Sequence, residues 1–159
     1  VVDADALNIL AAKPACSEVK RQNWVFTPHP GEAARLLGCT IDDIQADRFS
    51  AARAIQAKFG GVVVLKGAGT IIASATETLV AKVGNPGMAT GGMGDILAGI
   101  IGALLAQGLG PAEAAGLGVC VHGDAADLAA FDGGQRGMLA TDLISHIRKL
   151  VNPGVPSGG

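Results

Sequence analysis

Aromatic side chains are scarce in this sequence: one Trp, four Phe and no Tyr, 3% of 159 residues. Its core must therefore be made from aliphatic and small side chains. Charge is also sparse, with 12 Lys and Arg against 14 Asp and Glu, a net of −2 and no basic run. Nucleic-acid binding is excluded on that ground, because affinity for a phosphate backbone needs clustered Lys and Arg. Long hydrophobic runs are missing despite an apolar fraction of 49%. The nearest, Ile96–Leu105, falls short of the roughly 20 residues of a membrane span, so no membrane association is expected. Cysteine is limited to Cys16, Cys39 and Cys120, far apart and odd in number. That pattern argues against a disulfide framework and a structural zinc site, and for reduced thiols packed as small hydrophobes. No direct metal ligand is assigned. No secretory pattern opens the sequence, and a cytoplasmic location is expected.

What the chain has in quantity is glycine, 24 residues, and its densest stretch is the most informative. Residues 84–108, GNPGMATGGMGDILAGIIGALLAQG, join a glycine turn, one acid (Asp95) and an apolar helix expected over Met93–Gln107. Gly92 and Gly94 permit close backbone approach to a ligand, and the helix directs its positive end at the turn. Such an arrangement suits phosphate. Asp95 has two readings, a first-turn helix residue or a carboxylate placed for chemistry beside a phosphate.

The length suits one domain. VVDADALNIL reads as a strand end entering a helix, with Asp5 as N-cap. Asn23–Thr27 reads as a strand, and PHPGEAARLLG as a loop opening a short helix. Thr40–Phe59 is expected to be one helix, with Ile44, Phe49, Ala52, Ile55 and Phe59 on its apolar face and Thr40 capping it. VVVLK (62–66) reads as a strand buried on both faces. TIIAS and TLVAKV read as a hairpin turning near Ser74–Glu77. Pro111 opens a helix running to about Phe131, and Thr141 caps a last one ending at Val151. The remainder, 152–159 (NPGVPSGG), is expected to be disordered. The order βα, βα, βββ, ααα argues for an α/β sheet flanked by helices.

Four motifs in order, TPHPGE (27–32), VVLKGAGT (63–70), GNPGMATGGMGD (84–95) and RGMLATDL (136–143), resemble the ADP-dependent NAD(P)H-hydrate dehydratases of the ribokinase-like superfamily. The resemblance implies an α/β, ribokinase-like (Rossmann-like) fold with a mostly parallel sheet. It also implies that residues 1–151 form the C-terminal portion of a longer domain, incomplete on its N-terminal side. The implied reaction removes water from hydrated NADH or NADPH at the expense of ADP, with Mg²⁺, giving AMP, phosphate and restored NAD(P)H. A homo-oligomer, a tetramer in this family, is implied as well. The alternatives are a small-molecule kinase of the same superfamily or an inactive nucleotide-binding module.

The resemblance makes Asp95 the catalytic base and a contact to the hydrated substrate, and assigns His29 to the same substrate. It assigns Lys66, Gly67, Ala68, Gly69, Thr70 and Gly94 to ADP or AMP, with Asn85, Gly92 and Met93 as further candidates. Taken without the resemblance, Lys66 also reads as a solvated lysine, His29 as an exposed loop histidine and Asn85 as an Asx-turn residue. Glu32 reads as a first-turn cap residue, with a place near Mg²⁺ as the alternative. His122 and His146 read as packing residues, and Asp124 with Asp127 as a solvated helix face. Asp3 lies near the crevice without an assignable role.

Overall fold

Four successive apolar residues, Val62–Leu65, make a strand stable only if both its faces are covered. The computed structural model, which describes residues 1–13 and 20–152, covers both. The elements run α1 (Asp5–Ala12), β1 (Val25–Phe26), α2 (Pro30–Leu37), α3 (Ile41–Ala46), α4 (Arg48–Phe59), β2 (Val62–Leu65), β3 (Ile71–Ala73), β4 (Thr78–Val80), α5 (Met93–Ala106), α6 (Pro111–Gly133) and α7 (Leu143–Val151). Short 3₁₀ turns at Pro86–Met88 and Ala140–Asp142 precede α5 and α7.

The strands lie in the order β1-β2-β3-β4. β1 runs parallel to β2, and Val2 adds a parallel bridge to Phe26. β2–β3 and β3–β4 are antiparallel. The described sheet is thus mixed, where a mostly parallel one was expected. The reason is connection length: Lys66–Thr70 is too short for a crossover helix, so β3 must turn back along β2.

Alternation along the strands divides the core. Phe26, Val63, Leu65, Ile71 and Ala73 pack with Leu7, Leu36, Ile44, Ile55 and Phe59 from α1–α4. Val25, Val62, Val64 and Ile72 pack with Leu97, Ile101, Ala115 and Val119 from α5 and α6. Small residues let those last two helices approach closely: a Cβ on Gly118 would stand 2.6 Å from Ile101 Cγ1. A third cluster joins Met93 to Ala125, Ala129, Met138 and Leu143.

The expected helix over 40–59 is two helices. Asp47 breaks it with φ −147° and ψ 84°, and its carboxylate accepts from the Ser50 N–H to start α4 afresh. Thr40 and Asp43 form a capping box at the head of α3. Two strong capping sites seven residues apart outcompete one continuous helix. The break also turns Phe49 outward, leaving it 44% exposed. Asp5 is the first residue of α1, and Ala4 holds the cap position without a side-chain bond. Thr141 lies inside the 3₁₀ turn, where Asp142 Oδ2 accepts from the Leu139 N–H at 2.8 Å. Cys120 is exposed on α6 and Cys39 partly buried; Cys16 lies outside the described residues, as does 153–159 of the tail.

Gly61 has φ +61°, and a Cβ there would stand 2.3 Å from the Trp24 carbonyl oxygen. Gly61→Ala is expected to cost at least about 2 kcal/mol through combined strain and clash, measured by urea denaturation.

Candidate functional site

Parallel strands deliver their carboxyl ends to one edge of a sheet, where an α/β crevice forms. Here Val2, Phe26 and Leu65 are followed at that edge by Asp3, Thr27 and Lys66. The three side chains meet. Lys66 Nζ lies 2.9 Å from Asp3 Oδ1, which also accepts from Thr27 Oγ1 at 2.8 Å. Next in the chain, Ala4 takes φ +47°, the one positive φ outside glycine among the described residues. That strained residue turns the chain from the Asp3 position into α1.

A second carboxylate completes the cluster. Glu32 is buried, with Oε2 3.9 Å from Lys66 Nζ. The same oxygen accepts from the His29 N–H at 2.7 Å. In return His29 Nδ1 accepts from the Gly31 N–H at 2.9 Å and the Glu32 N–H at 3.3 Å, closing a capping box at the head of α2. With Nδ1 accepting, a neutral His29 carries its proton on Nε2. Buried Glu32 is sustained by the backbone donor and by the ammonium, as a buried charge requires.

The head of α5 lies over this cluster. Gly92 opens the helix at φ 87° and gives it no side-chain cap, which leaves the first-turn N–H groups open to a ligand. A Cβ on Gly94 would stand 3.2 Å from Lys66 Nζ and 3.7 Å from Asp3 Oδ2, so the helix end lies directly against the ion pair and a side chain there would crowd the ammonium. An ammonium and a helix N-terminus therefore converge, and both attract anions.

A cavity of about 720 Å³ opens beside them, lined by Lys66–Thr70, by the 80–89 segment and by Met93, Gly94, Leu97, Val119, His122 and Gly123. Arg48 supports one wall by donating to the carbonyls of Leu65 at 3.3 Å, Lys66 at 3.4 Å and Ala68. Asp127 and Asn85 support the other. Asp127 accepts from the Gly84 N–H at 2.9 Å and from Asn85 Nδ2 at 2.8 Å, while Asn85 Oδ1 accepts from the Gly87 N–H at 3.0 Å. The Asx turn is thus formed at Asn85, and its amide is occupied within the protein.

Residues 1–149 match the family described as NAD(P)H-hydrate dehydratase. The chain belongs to that family. It is 56% identical over 154 residues to the bifunctional NAD(P)H-hydrate repair enzyme of Coxiella burnetii, covering 96% of this chain and 31% of that relative. It superposes on the Bacillus subtilis ADP/ATP-dependent NAD(P)H-hydrate dehydratase, co-crystallized with ATP/Mg²⁺, with a TM-score of 0.80 and 29% identity over 93% of this chain and 53% of that one. A ribokinase-like superfamily protein of Enterococcus faecalis gives 0.73 and 31%, over 96% of this chain and 53% of that one. The fold is ribokinase-like. The chain spans about a third of the curated relative and about half of the solved ones.

In this dehydratase-family chain, eight expected residues line the cavity: Lys66, Gly67, Ala68, Gly69, Thr70, Asn85, Met93 and Gly94. Gly92, His29 and Asp95 do not. Gly92 is packed near Ala140. Asp95, one residue beyond Gly94, is exposed. The His29 side chain is half exposed beside Glu32. Lys66 is ion-paired, which corrects the solvated reading. Asp127 is exposed, as the solvated-face reading had it, and in addition buttresses the 84–88 loop. Its partners lie more than 40 residues away, so no local pattern could have pointed to it. Arg48, whose carbonyl partners lie 17 to 20 residues away, and His122, brought to the cavity only by packing of α6, were also missed as site residues.

His122 is buried on the cavity wall. Burial, assisted by the Lys66 charge and opposed by a backbone carbonyl of Met93, pushes its pKa down to about 4. An unfolded histidine titrates near 6.5. Between those values the unfolded chain binds the extra proton, so stability is complete above about pH 6.5 and falls as pH drops toward 4, by up to about 3 kcal/mol. Urea denaturation at pH 7, 5.5 and 4 measures this loss, and His122→Leu should remove the histidine part of it.

Proposed function

We propose that this chain supplies the ADP-binding and phosphoryl-transfer site of an ADP-dependent dehydratase acting on hydrated NADH or NADPH. The observation that carries the reading is the meeting of Gly94, Lys66 and Asp3 at one point. It sets an uncapped helix end and a fixed ammonium beside a cavity large enough for a nucleotide, with the Asp95 carboxylate in the same first turn.

Hydroxide is a poor leaving group and phosphate a good one. In the proposed sequence the substrate hydroxyl attacks the β-phosphorus of ADP and Asp95 accepts the hydroxyl proton. The P–O bond to AMP breaks. The C–O bond of the phosphorylated hydrate then breaks, phosphate departs, and loss of a ring proton restores NAD(P)H. Lys66 and the N–H groups of Met93 and Gly94 stabilise charge on the transferring group. Asp95 at a helix N-terminus acts mainly through placement. Its exposure suits a base that meets substrate from the open side while ADP fills the enclosed cavity through Lys66–Thr70. His29, exposed on the same strand-end edge, is the proposed second substrate contact.

Mg²⁺ binds through one or two carboxylates together with substrate phosphates and water. Asp3 and Glu32 are already engaged by the Lys66 ammonium, so these residues do not fit as a direct cage, and the ion would be held mainly by the nucleotide phosphates and water. When bound, Mg²⁺ would neutralise phosphate charge. The proposal includes a cytoplasmic, homo-oligomeric enzyme.

The test supplies the full-length protein with ADP and hydrated NADH. Return of absorbance at 340 nm with release of AMP is expected, and activity only with ATP and an alcohol would instead make it a kinase. Asp95→Asn is expected to lower kcat by about 10²–10⁴ while ADP binding stays within about threefold. Undiminished turnover would remove Asp95 from the role of base.

A further inference from the structure

The chain has three histidines, and the rings of two have carboxylate partners. His29 is held by the α2 capping box, with Glu32 3.5 Å from Nε2. His146 is buried with Nε2 3.5 Å from Asp132 Oδ2. His122 differs. It is 6% exposed, has only the Met93 backbone beside its ring as a polar contact, and its Nε2 has neither solvent nor a hydrogen-bond partner. Buried polar atoms are rarely left in that state, because the desolvation cost is not recovered.

Its position says what would satisfy it. Val119, His122 and Gly123 follow helical spacing along α6 and all line the 720 Å³ cavity. Gly123 lies against Val83, where an added Cβ would come within 2.3 Å of Cγ2, so the 83–88 loop is laid tightly on the helix beside the histidine. The ring is held neutral at ordinary pH by burial and by Lys66. A neutral imidazole has one donor and one acceptor nitrogen and no charge to offer a phosphate. Lys66, Lys82 and the α5 N-terminus are the positive groups of the cavity and suit that purpose. Around His122 the wall is apolar, with Leu97, Val119 and Met93, which suits a base or ribose better than a phosphate.

We infer that His122 is a further nucleotide-binding residue of this site, its Nε2 completed by a hydrogen bond to an uncharged polar atom of the nucleoside part of ADP. This rests on the ADP reading above. His122 is then a specificity residue that distinguishes a nucleoside diphosphate from a bare pyrophosphate.

Calorimetric titration of the full-length protein with ADP and with pyrophosphate tests it. His122→Leu is expected to weaken ADP binding by about tenfold or more and to leave pyrophosphate binding unchanged. His122→Gln, whose amide nitrogen reaches the place of Nε2, should restore ADP affinity to within about threefold of wild type. A folded His122→Leu protein that binds ADP like wild type overturns the assignment, as does equal weakening toward pyrophosphate. Should the Leu variant fail to fold, the ring resonances of His122 in the wild-type protein give the answer: ADP is expected to shift them, and unshifted resonances at saturating ADP overturn it. Failure of folded wild-type protein to bind ADP at all sinks the nucleotide reading itself, which is a distinct result.

Discussion

One ammonium group, Lys66 Nζ, is where the separate parts of this site are tied together. It lies at the end of a strand buried on both faces, so its backbone position is set by the core. Asp3, which follows the Val2 bridge on the far side of β1, and Glu32 from the head of α2 both approach it. Gly94 brings α5 down upon it. Each carboxylate, Glu32 buried and Asp3 largely so, would be costly to leave without a cation, and the lysine would be costly without the carboxylates. The cluster therefore locks three elements into one arrangement, with a helix end aimed at whatever anion arrives.

Around that point the site has two unlike sides. The enclosed side is walled by glycine-rich backbone, by small apolar side chains and by neutral His122, and its shape suits recognition of a nucleotide. Asp95 and the His29 ring lie outside the cavity, both accessible to solvent. Gly94 stands on the boundary, one residue from the proposed base and in van der Waals reach of the lysine. That division follows the proposed chemistry, which needs a tightly held phosphoryl donor and an acceptor that can enter and leave.

Helix α6 supports the enclosed side along much of its length. Gly118 admits Ile101 of α5, Gly123 admits Val83, and Asp127 with the Ala126 carbonyl anchors Asn85. At Gly118 and Gly123 the lack of a side chain on α6 admits side chains of neighbouring elements, and Gly123 does so at the cavity wall.

Much was legible in the sequence because it is governed by local chemistry. The continuous aliphatic run at 62–65, the Thr40 cap, the short helix within PHPGEAARLLG and the glycine turn before α5 each depend on a few neighbouring residues, and each is present in the structure. The ordered motifs sufficed to indicate the family. Where local signals competed, as at Asp47, spacing alone chose wrongly, because a second cap can restart a helix that periodicity would continue. The direction of β3 depended on a five-residue connection and was readable only in part. Tertiary structure alone decided which polar groups meet: Asp3 with Lys66 across 63 residues, Asp127 with Gly84 across 43, and Arg48 with the carbonyls beyond Leu65. It also decided that His122 should line a cavity with its Nε2 buried and without a hydrogen-bond partner. Pairings of that kind depend on how distant segments pack, and hydrogen-bond geometry between them leaves no period or spacing in the chain.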